Sequence, residues 1–374
     1  MKPLKVINVV GARPNFMKMA PLIEAMEQYP EAIQQVLVHT GQHYDEKMSQ
    51  SFFVDLGMPR PDIDLGVGSG SHAEQTARIM VAFEKVCQDE QPDLVIVVGD
   101  VNSTMACTIT AKKLGIRVAH VEAGLRSRDM SMPEEINRLC TDVLCDYLFT
   151  TDYIAGQNLQ AEGVDKQKIF FVGNVMIDTL MKHREMASQL DLSQKLGLVP
   201  QGYATLTLHR QGNVDDREVL KGILEAIQEI SHTLPVIFPI HPRTRKMVES
   251  FGLSDFFNSS EQVRGIWITE PLGYLEFLHL NMGARLVLTD SGGLQEESTV
   301  LGVPCITMRP NTERPITCEE GTNTLVGNEK SAILREASRV LSGQSCVGKV
   351  PEKRDGKAAE RIVGILLQIQ GGAP

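Results

Sequence analysis

The chain has 374 residues, of which 42% are hydrophobic and 22% charged, and its formal net charge is -10. That length exceeds one ordinary core and implies two domains, while the composition excludes a disordered chain and the acidic balance argues against a nucleic-acid binder. The apolar opening run stops at Gly11, too short for a membrane span, and seven scattered cysteines without CxxC spacing read as reduced thiols of a soluble, cytoplasmic protein rather than a zinc site.

In chain order, Lys5–Val10 reads as a strand, Phe16–Tyr29 as a helix and Gln35–Thr40 as a strand. Ala73–Asp89 has helical spacing and ends before Pro92. Leu94–Val98 (LVIVV) is apolar throughout, as a strand buried on both faces requires. A helix over Asn102–Lys113, a strand over Val118–Val121, a helix over Pro133–Asp146 and strands over Tyr147–Thr150 and Ile169–Val172 follow. Breakers Gly197, Pro200 and Gly202 mark a boundary region. The pattern then repeats. Strands are expected over Ala204–Leu208, Val236–Ile240, Gly265–Thr269, Arg285–Thr289 and Pro304–Met308, with helices over Glu218–Thr233, near Tyr274–Leu280, after Gly293, and over Ala332–Leu341 and Lys357–Gln368. Alternating strands and helices predict an α/β fold of two doubly wound, Rossmann-like units. Ligands of such sheets bind beyond the carboxyl ends of the strands, so functional residues belong directly after the apolar runs.

Unusual residues stand there. Arg13 and Lys18 follow the first strand and suit an anion, although a capping turn with solvated charges explains them equally. Asp100 ends LVIVV, as a used carboxylate or as a helix cap. His120, Glu122 and Arg126 crowd one strand end, and strand alternation places His120 and Glu122 on one side; a buried ion pair is the plainer account. Glu134 and Glu135 open a helix, where carboxylates favour the dipole. Asp100, Glu122 and Glu134 together come from adjacent loops and make an acid/base set. His209 and Arg210 end the first strand of the second half, and His241 ends the next. The run Thr289-Asp290-Ser291-Gly292-Gly293 leads into a helix carrying Glu296 and Glu297. Its glycines let backbone N–H groups approach a phosphate, and the carboxylates suit ribose hydroxyls. It is neither GxGxxG nor a Walker loop.

GARPNFMKMAPL, HTGQHYD, PDLVIVVGD, HVEAGLRS, MPEEINR, VGNVMIDTL, LHR, LTDSGGLQEES and MRPNTERP occur in this order. Together they resemble the non-hydrolysing UDP-N-acetylglucosamine 2-epimerases along nearly the whole chain. The resemblance implies a glycosyltransferase-B type fold with two Rossmann-like domains facing across a cleft, at 1–175 and 176–354, with a last helix at about 355–374 returning to the first. It implies a UDP-sugar substrate, interconversion of UDP-GlcNAc and UDP-ManNAc through 2-acetamidoglucal, no metal or other cofactor, no nucleic-acid or membrane partner, and a homodimer. Carried over by motif, Asp100, Glu122 and Glu134 are the acid/base carboxylates and His209 assists departure of UDP. Arg13, Lys18, Ser291, Gly292 and Gly293 bind phosphates or the loop around them, Glu297 holds the ribose, Phe277 flanks the uracil and Arg314 also contacts the ligand, while Arg210, by its own chemistry after a strand, is a further phosphate-binding candidate.

One stretch departs from the family. Many bacterial members carry an Arg-Gln pair, belonging to an allosteric UDP-GlcNAc site, where this chain reads Gly68-Ser69-Gly70-Ser71-His72. Gln42, His43 and His241 of such a site remain. Weak or absent allosteric activation is therefore expected; sigmoidal UDP-ManNAc kinetics relieved by trace UDP-GlcNAc would contradict it. MPEEINR and HPRT also occur in relatives that epimerise UDP-2,3-diacetamido-glucuronic acid, for which Arg126 or Arg128 offers a cation to the C6 carboxylate. A hydrolysing epimerase, a glycosyltransferase on the same fold and a non-catalytic nucleotide-sugar sensor are the other readings considered.

Overall fold

Residues 2–42, 57–257, 264–344 and 348–370 are described by a computed structural model of the chain. His43 and Cys346 lie outside the described residues, as does the side chain of Arg13. Two compact units result: Met1–Lys182 with Glu352–Pro374, and His183–Pro351. The junction falls inside the helix Val175–Ser188, whereas the sequence reading placed it ahead of Met176.

The first unit is built on seven parallel strands. These are β1 (Leu4–Val10), β2 (Ile33–His39), β3 (Ile63–Asp64), β4 (Leu94–Val98), β5 (Arg117–Ala123), β6 (Tyr147–Thr150) and β7 (Ile169–Phe171). Their order is β3-β2-β1-β4-β5-β6-β7. All five residues of β4 are buried, because helices cover both faces of a parallel sheet. Ile7, Val95, Val97, Val118 and Leu148 pack with Ile79 and Phe83 of the helix His72–Glu90 in one core. Val6 pairs with Leu94 and Val97 with His120, so the carboxyl ends of β1, β4 and β5 lie side by side. The strand order reverses between β1 and β4, which makes this the place for a ligand.

The second unit repeats the scheme with six strands: β8 (Ala204–Thr207), β9 (Val236–Pro239), β10 (Ile266–Thr269), β11 (Leu286–Thr289), β12 (Cys305–Thr307) and β13 (Asn323–Leu325). Their order is β10-β9-β8-β11-β12-β13, so the reversal falls between β8 and β11. The helix Arg217–Ser231 buries Leu220, Ile223, Leu224, Ile227 and Ile230 at helical spacing. Asp216 caps it, accepting from the backbone N–H groups of Glu218 and Val219. Both units are Rossmann-like, so the expected α/β class holds. The helices Tyr153–Ala161, Val175–Ser188 and Pro242–Ser250 were not read from the sequence.

The C-terminal segment closes the first unit. Gly173 adopts φ 97°, where a Cβ would collide with the Lys353 carbonyl. The fully buried guanidinium of Arg354 donates to the Thr151 carbonyl and lies 3.7 Å from Asp152. The carboxylate of Asp178 accepts from the N–H groups of Ala358 and Ala359, at 3.2 and 2.8 Å, at the start of the helix Ala358–Gln370. Burial pushes this carboxyl up to about 6, against those two N–H bonds. Among the described residues, no helix is long and apolar enough to cross a membrane.

Candidate active site

The first cluster is assembled at the ends of β1, β4 and β5. After β1, Asn15 accepts from the N–H groups of Gly11 and Ala12 and donates to the Val98 carbonyl at 3.0 Å, tying the first loop to β4. Lys18, one turn into the helix Arg13–Glu27, forms an ion pair with Glu122. Both side chains are almost fully buried, 6% and 2% exposed, so this charge pair has little water to lean on. Lys18 is thus committed to a carboxylate here rather than standing open to an anion. Gly99 lies over the pair with φ 67°, and a Cβ there would sit 2.8 Å from the lysine Nζ.

Glu122 is held in an unusual backbone conformation. Its φ is 77°, and the β5–β6 register shifts between Val121 and Ala123. A glutamate in the left-handed region costs about 1–3 kcal/mol and persists only where its surroundings over-determine it. The bulge breaks strand alternation, so the expected shared side for His120 and Glu122 fails. His120 is fully buried, with Nδ1 2.6 Å from Asp142 and Nε2 donating to the Gly99 carbonyl at 2.8 Å. Both ring nitrogens face acceptors, which makes His120 a buried structural partner.

Asp100 does not cap the following helix; Val101 occupies that position. Its carboxylate instead meets Arg138 at 2.6 Å. Arg138 is fixed from behind by Glu135 at 2.7 Å. Burial raises the Glu135 carboxyl, but the N–H groups of Ser127 and Arg128, the Ser127 hydroxyl and Arg138 hold it below the usual range. Glu134 lies half-buried one residue earlier in the same helix, Pro133–Leu144. Gln42 is buried and accepts from the Ser103 N–H and hydroxyl, at 3.0 and 2.6 Å. Ser71 caps the helix His72–Glu90, so the stretch that departs from the family serves as a helix start.

The second cluster sits at the reversal of the other sheet. Asp290, after β11, is fully buried and accepts from the backbone N–H groups of His209 and Arg210, both at 2.9 Å. Its other oxygen lies 2.9 Å from His209 Nδ1. Burial works against this charge, yet His209 and the two N–H groups hold the Asp290 carboxyl below the usual range. With Nδ1 held, a half-exposed His209 presents Nε2 for chemistry. His241 caps the helix Pro242–Ser250, and its ring centroid lies 6.1 Å from that of His209.

Ser291 precedes the helix Gly292–Leu301. A Cβ at Gly292 would fall 2.5 Å from the Glu313 carboxylate and 3.2 Å from Arg314 Nε, so a side chain here would have to displace the Glu313 carboxylate. Gly293 is half-buried beside it. Arg314 pairs with buried Glu296 at 3.0 Å, and Glu313 with Arg309 at 2.8 Å. Arg210 Nη2 stands 4.0 Å from Glu313. Phe277, half-buried, packs against the apolar cluster that includes Leu280 and Leu294. The sequence reading named neither Asp290, Arg138 nor Asp142 as a working residue; Asp290 could have been found from its place directly after an apolar strand.

Glu297 accepts from the Tyr274 hydroxyl at 3.2 Å. Burial pushes its carboxyl up to about 7, only partly opposed by that bond. The folded form therefore binds this proton more tightly than the unfolded chain, and stability falls as pH rises from about 4.5 through about 7. Glu297→Gln is expected to flatten that limb and stabilise the protein at pH 8 by up to about 3 kcal/mol. Denaturant melts at pH 5 and pH 8 check it; an equal change at both pH values contradicts the assignment.

The sequence model of the family described as UDP-N-acetylglucosamine 2-epimerase matches residues 24–367. The UDP-N-acetylglucosamine 2-epimerase of Methanocaldococcus jannaschii is 45% identical over 368 residues, covering 97% of this chain and 99% of that one. The UDP-2,3-diacetamido-2,3-dideoxy-D-glucuronate 2-epimerase of Pseudomonas aeruginosa is 39% identical, covering 98% and 100%. A crystal structure of the M. jannaschii enzyme in complex with UDP-GlcNAc and UDP superposes with a TM-score of 0.86 at 44% identity, covering 97% of this chain and 99% of that one. That of Neisseria meningitidis UDP-GlcNAc 2-epimerase bound to UDP-GlcNAc gives 0.88 at 30% identity, covering 98% and 100%. With the family's model spanning most of its length and relatives matching it from end to end, the chain belongs to the non-hydrolysing UDP-N-acetylglucosamine 2-epimerase family.

Proposed function

We propose that this chain interconverts UDP-GlcNAc and UDP-ManNAc by eliminating UDP across C1–C2 and adding it back with C2 inverted. A carboxylate of the first unit removes the weakly acidic C2 proton. The C–H electron pair becomes the C1=C2 bond, and the C1–O bond to UDP breaks with its electrons on the departing diphosphate. Return of UDP to C1, with a proton delivered to the other face of C2, completes the inversion. Glu122, Asp100 and Glu134 are the acid/base groups. His209, oriented by Asp290, assists the leaving diphosphate, which the Ser291-Gly292-Gly293 turn grips with Arg314. Arg13 and Arg210 add positive charge, Glu297 takes the ribose and Phe277 borders the uracil, while Lys18 stays paired with Glu122.

The observation that carries this reading is Glu122: a buried carboxylate beside a lysine, kept in a strained conformation at a strand end. The M. jannaschii relative, named for this activity, supports the substrate.

The diacetamido-uronate reading needs a cation for a C6 carboxylate. Arg126 is committed elsewhere, pairing with Asp142 at 2.7 Å and with Glu162 at 2.6 Å. The Arg128 guanidinium donates to Asn158 at 3.0 Å. These three contacts favour the uncharged sugar. Proton NMR with UDP-GlcNAc in deuterated water tests the whole reading. UDP-ManNAc carrying deuterium at C2 is expected; free ManNAc with UDP would point to hydrolysis, and an unchanged spectrum would sink the proposal.

A further inference from the structure

Asp142 is fully committed and lies outside the acid/base set. It sits in the helix Pro133–Leu144, 3% exposed, and three donors from β5 and its following loop converge on it. His120 Nδ1 lies 2.6 Å from one oxygen. The Gly124 N–H donates to the other at 3.0 Å, and Arg126 Nη1 reaches the same oxygen at 2.7 Å. These donors stand on both sides of Glu122, the residue with φ 77° at the register shift. Arg126 is itself fixed by Glu162, through Nε at 2.8 Å and Nη2 at 2.6 Å. The other nitrogen of His120 donates to the Gly99 carbonyl, at the loop that carries Asp100. Burial disfavours the charge on Asp142, but His120 and Arg126 hold its carboxyl below the usual range.

A left-handed glutamate relaxes unless its neighbours prevent it. Here one carboxylate pins the chain before and after that residue and, through His120, the adjoining loop. We propose that Asp142 is a positioning residue for the reaction, holding Glu122 in its left-handed conformation by anchoring β5 on either side of it. This rests on the epimerase reading, with Glu122 in proton transfer.

Asp142→Asn keeps the shape but turns one oxygen into a donor, so it cannot serve all three partners. It is expected to lower kcat about 100-fold while UDP affinity stays within about twofold, because a slight misplacement of a reacting group is that costly. The isotope effect with C2-deuterated UDP-GlcNAc should grow, since proton abstraction becomes the slow step. A kcat within about threefold of the parent, or a UDP affinity that drops by the same factor as kcat, would overturn the proposal. Should Asp142→Asn not accumulate folded, His120→Gln leaves Gly124 and Arg126 in place. It should cost about tenfold in kcat with UDP binding retained, and an unchanged kcat overturns the idea. If the parent protein turns over no UDP-GlcNAc, the functional reading fails. A crystal structure of Asp142→Asn or His120→Gln then still decides the matter: Glu122 should leave the left-handed region, and a φ kept near 77° refutes the anchoring.

Discussion

Glu122→Gln is expected to lower kcat by about 1000-fold while UDP binding survives, as loss of a general acid/base group does. It should also destabilise the fold. Lys18 Nζ faces this carboxylate in an environment where both side chains are almost fully buried, 6% and 2% exposed. Removing one member of a buried pair leaves the other charge uncompensated, at about 3–5 kcal/mol. The two effects separate in a second variant. Lys18→Met combined with Glu122→Gln removes both charges and should recover much of the melting temperature, with kcat still at the level of the single variant. Turnover near that of the parent in folded Glu122→Gln would remove this residue from the mechanism. Recovery of activity together with stability in the double variant would make the lost rate a matter of folding alone.

The other large effect is expected at Asp290. Truncation to alanine strands the N–H groups of His209 and Arg210, both now bonded to it at 2.9 Å. Each unsatisfied buried donor costs about 1–3 kcal/mol, so a loss on the order of 3 kcal/mol or more follows. His209 also loses the partner that holds Nδ1, and with His209 in the role proposed for it a loosened imidazole should cost about 100-fold in kcat. The pH dependence has a definite sign. The Asp290 carboxyl is held below its ordinary range when folded, so its contribution is present above that range and lost as pH falls through the lowered value. Acid denaturation of Asp290→Ala should therefore be less steep than that of the parent. Parallel acid limbs, or unaltered kcat in a folded variant, would show that the aspartate does neither job.

Much of this architecture could be read from the chain because parallel strands announce themselves. Leu94–Val98 has no polar residue to blur it, and the expected and observed bounds coincide. The residues after each run were found for the same reason: strand ends at the reversal of a doubly wound sheet are where unusual side chains collect. Illegible features were those made by tertiary contacts. Nothing local distinguishes Glu122 from an alternating strand residue; its bulge depends on Asp142, twenty residues away on a helix. Asp100 looked like a cap because aspartate caps well, and only Arg138, held by Glu135, explains its actual partner. Arg126 looked available to a sugar carboxylate until its two acidic neighbours were placed around it. The helix Val175–Ser188 escaped notice because its faces are mixed, with Asp178, Lys182 and Arg184 among the apolar residues.

The discontinuous first unit has a consequence for biosynthesis. On the ribosome, residues of β1 through β7 emerge long before Arg354 and Ala358, so the Thr151 carbonyl and the Asp178 carboxylate wait without their partners. The contiguous stretch His183–Pro351 has no such wait and can mature as soon as its own strands are made. The middle unit can therefore complete its own contacts before the first unit, which stays open until the segment carrying Arg354 and Ala358 arrives.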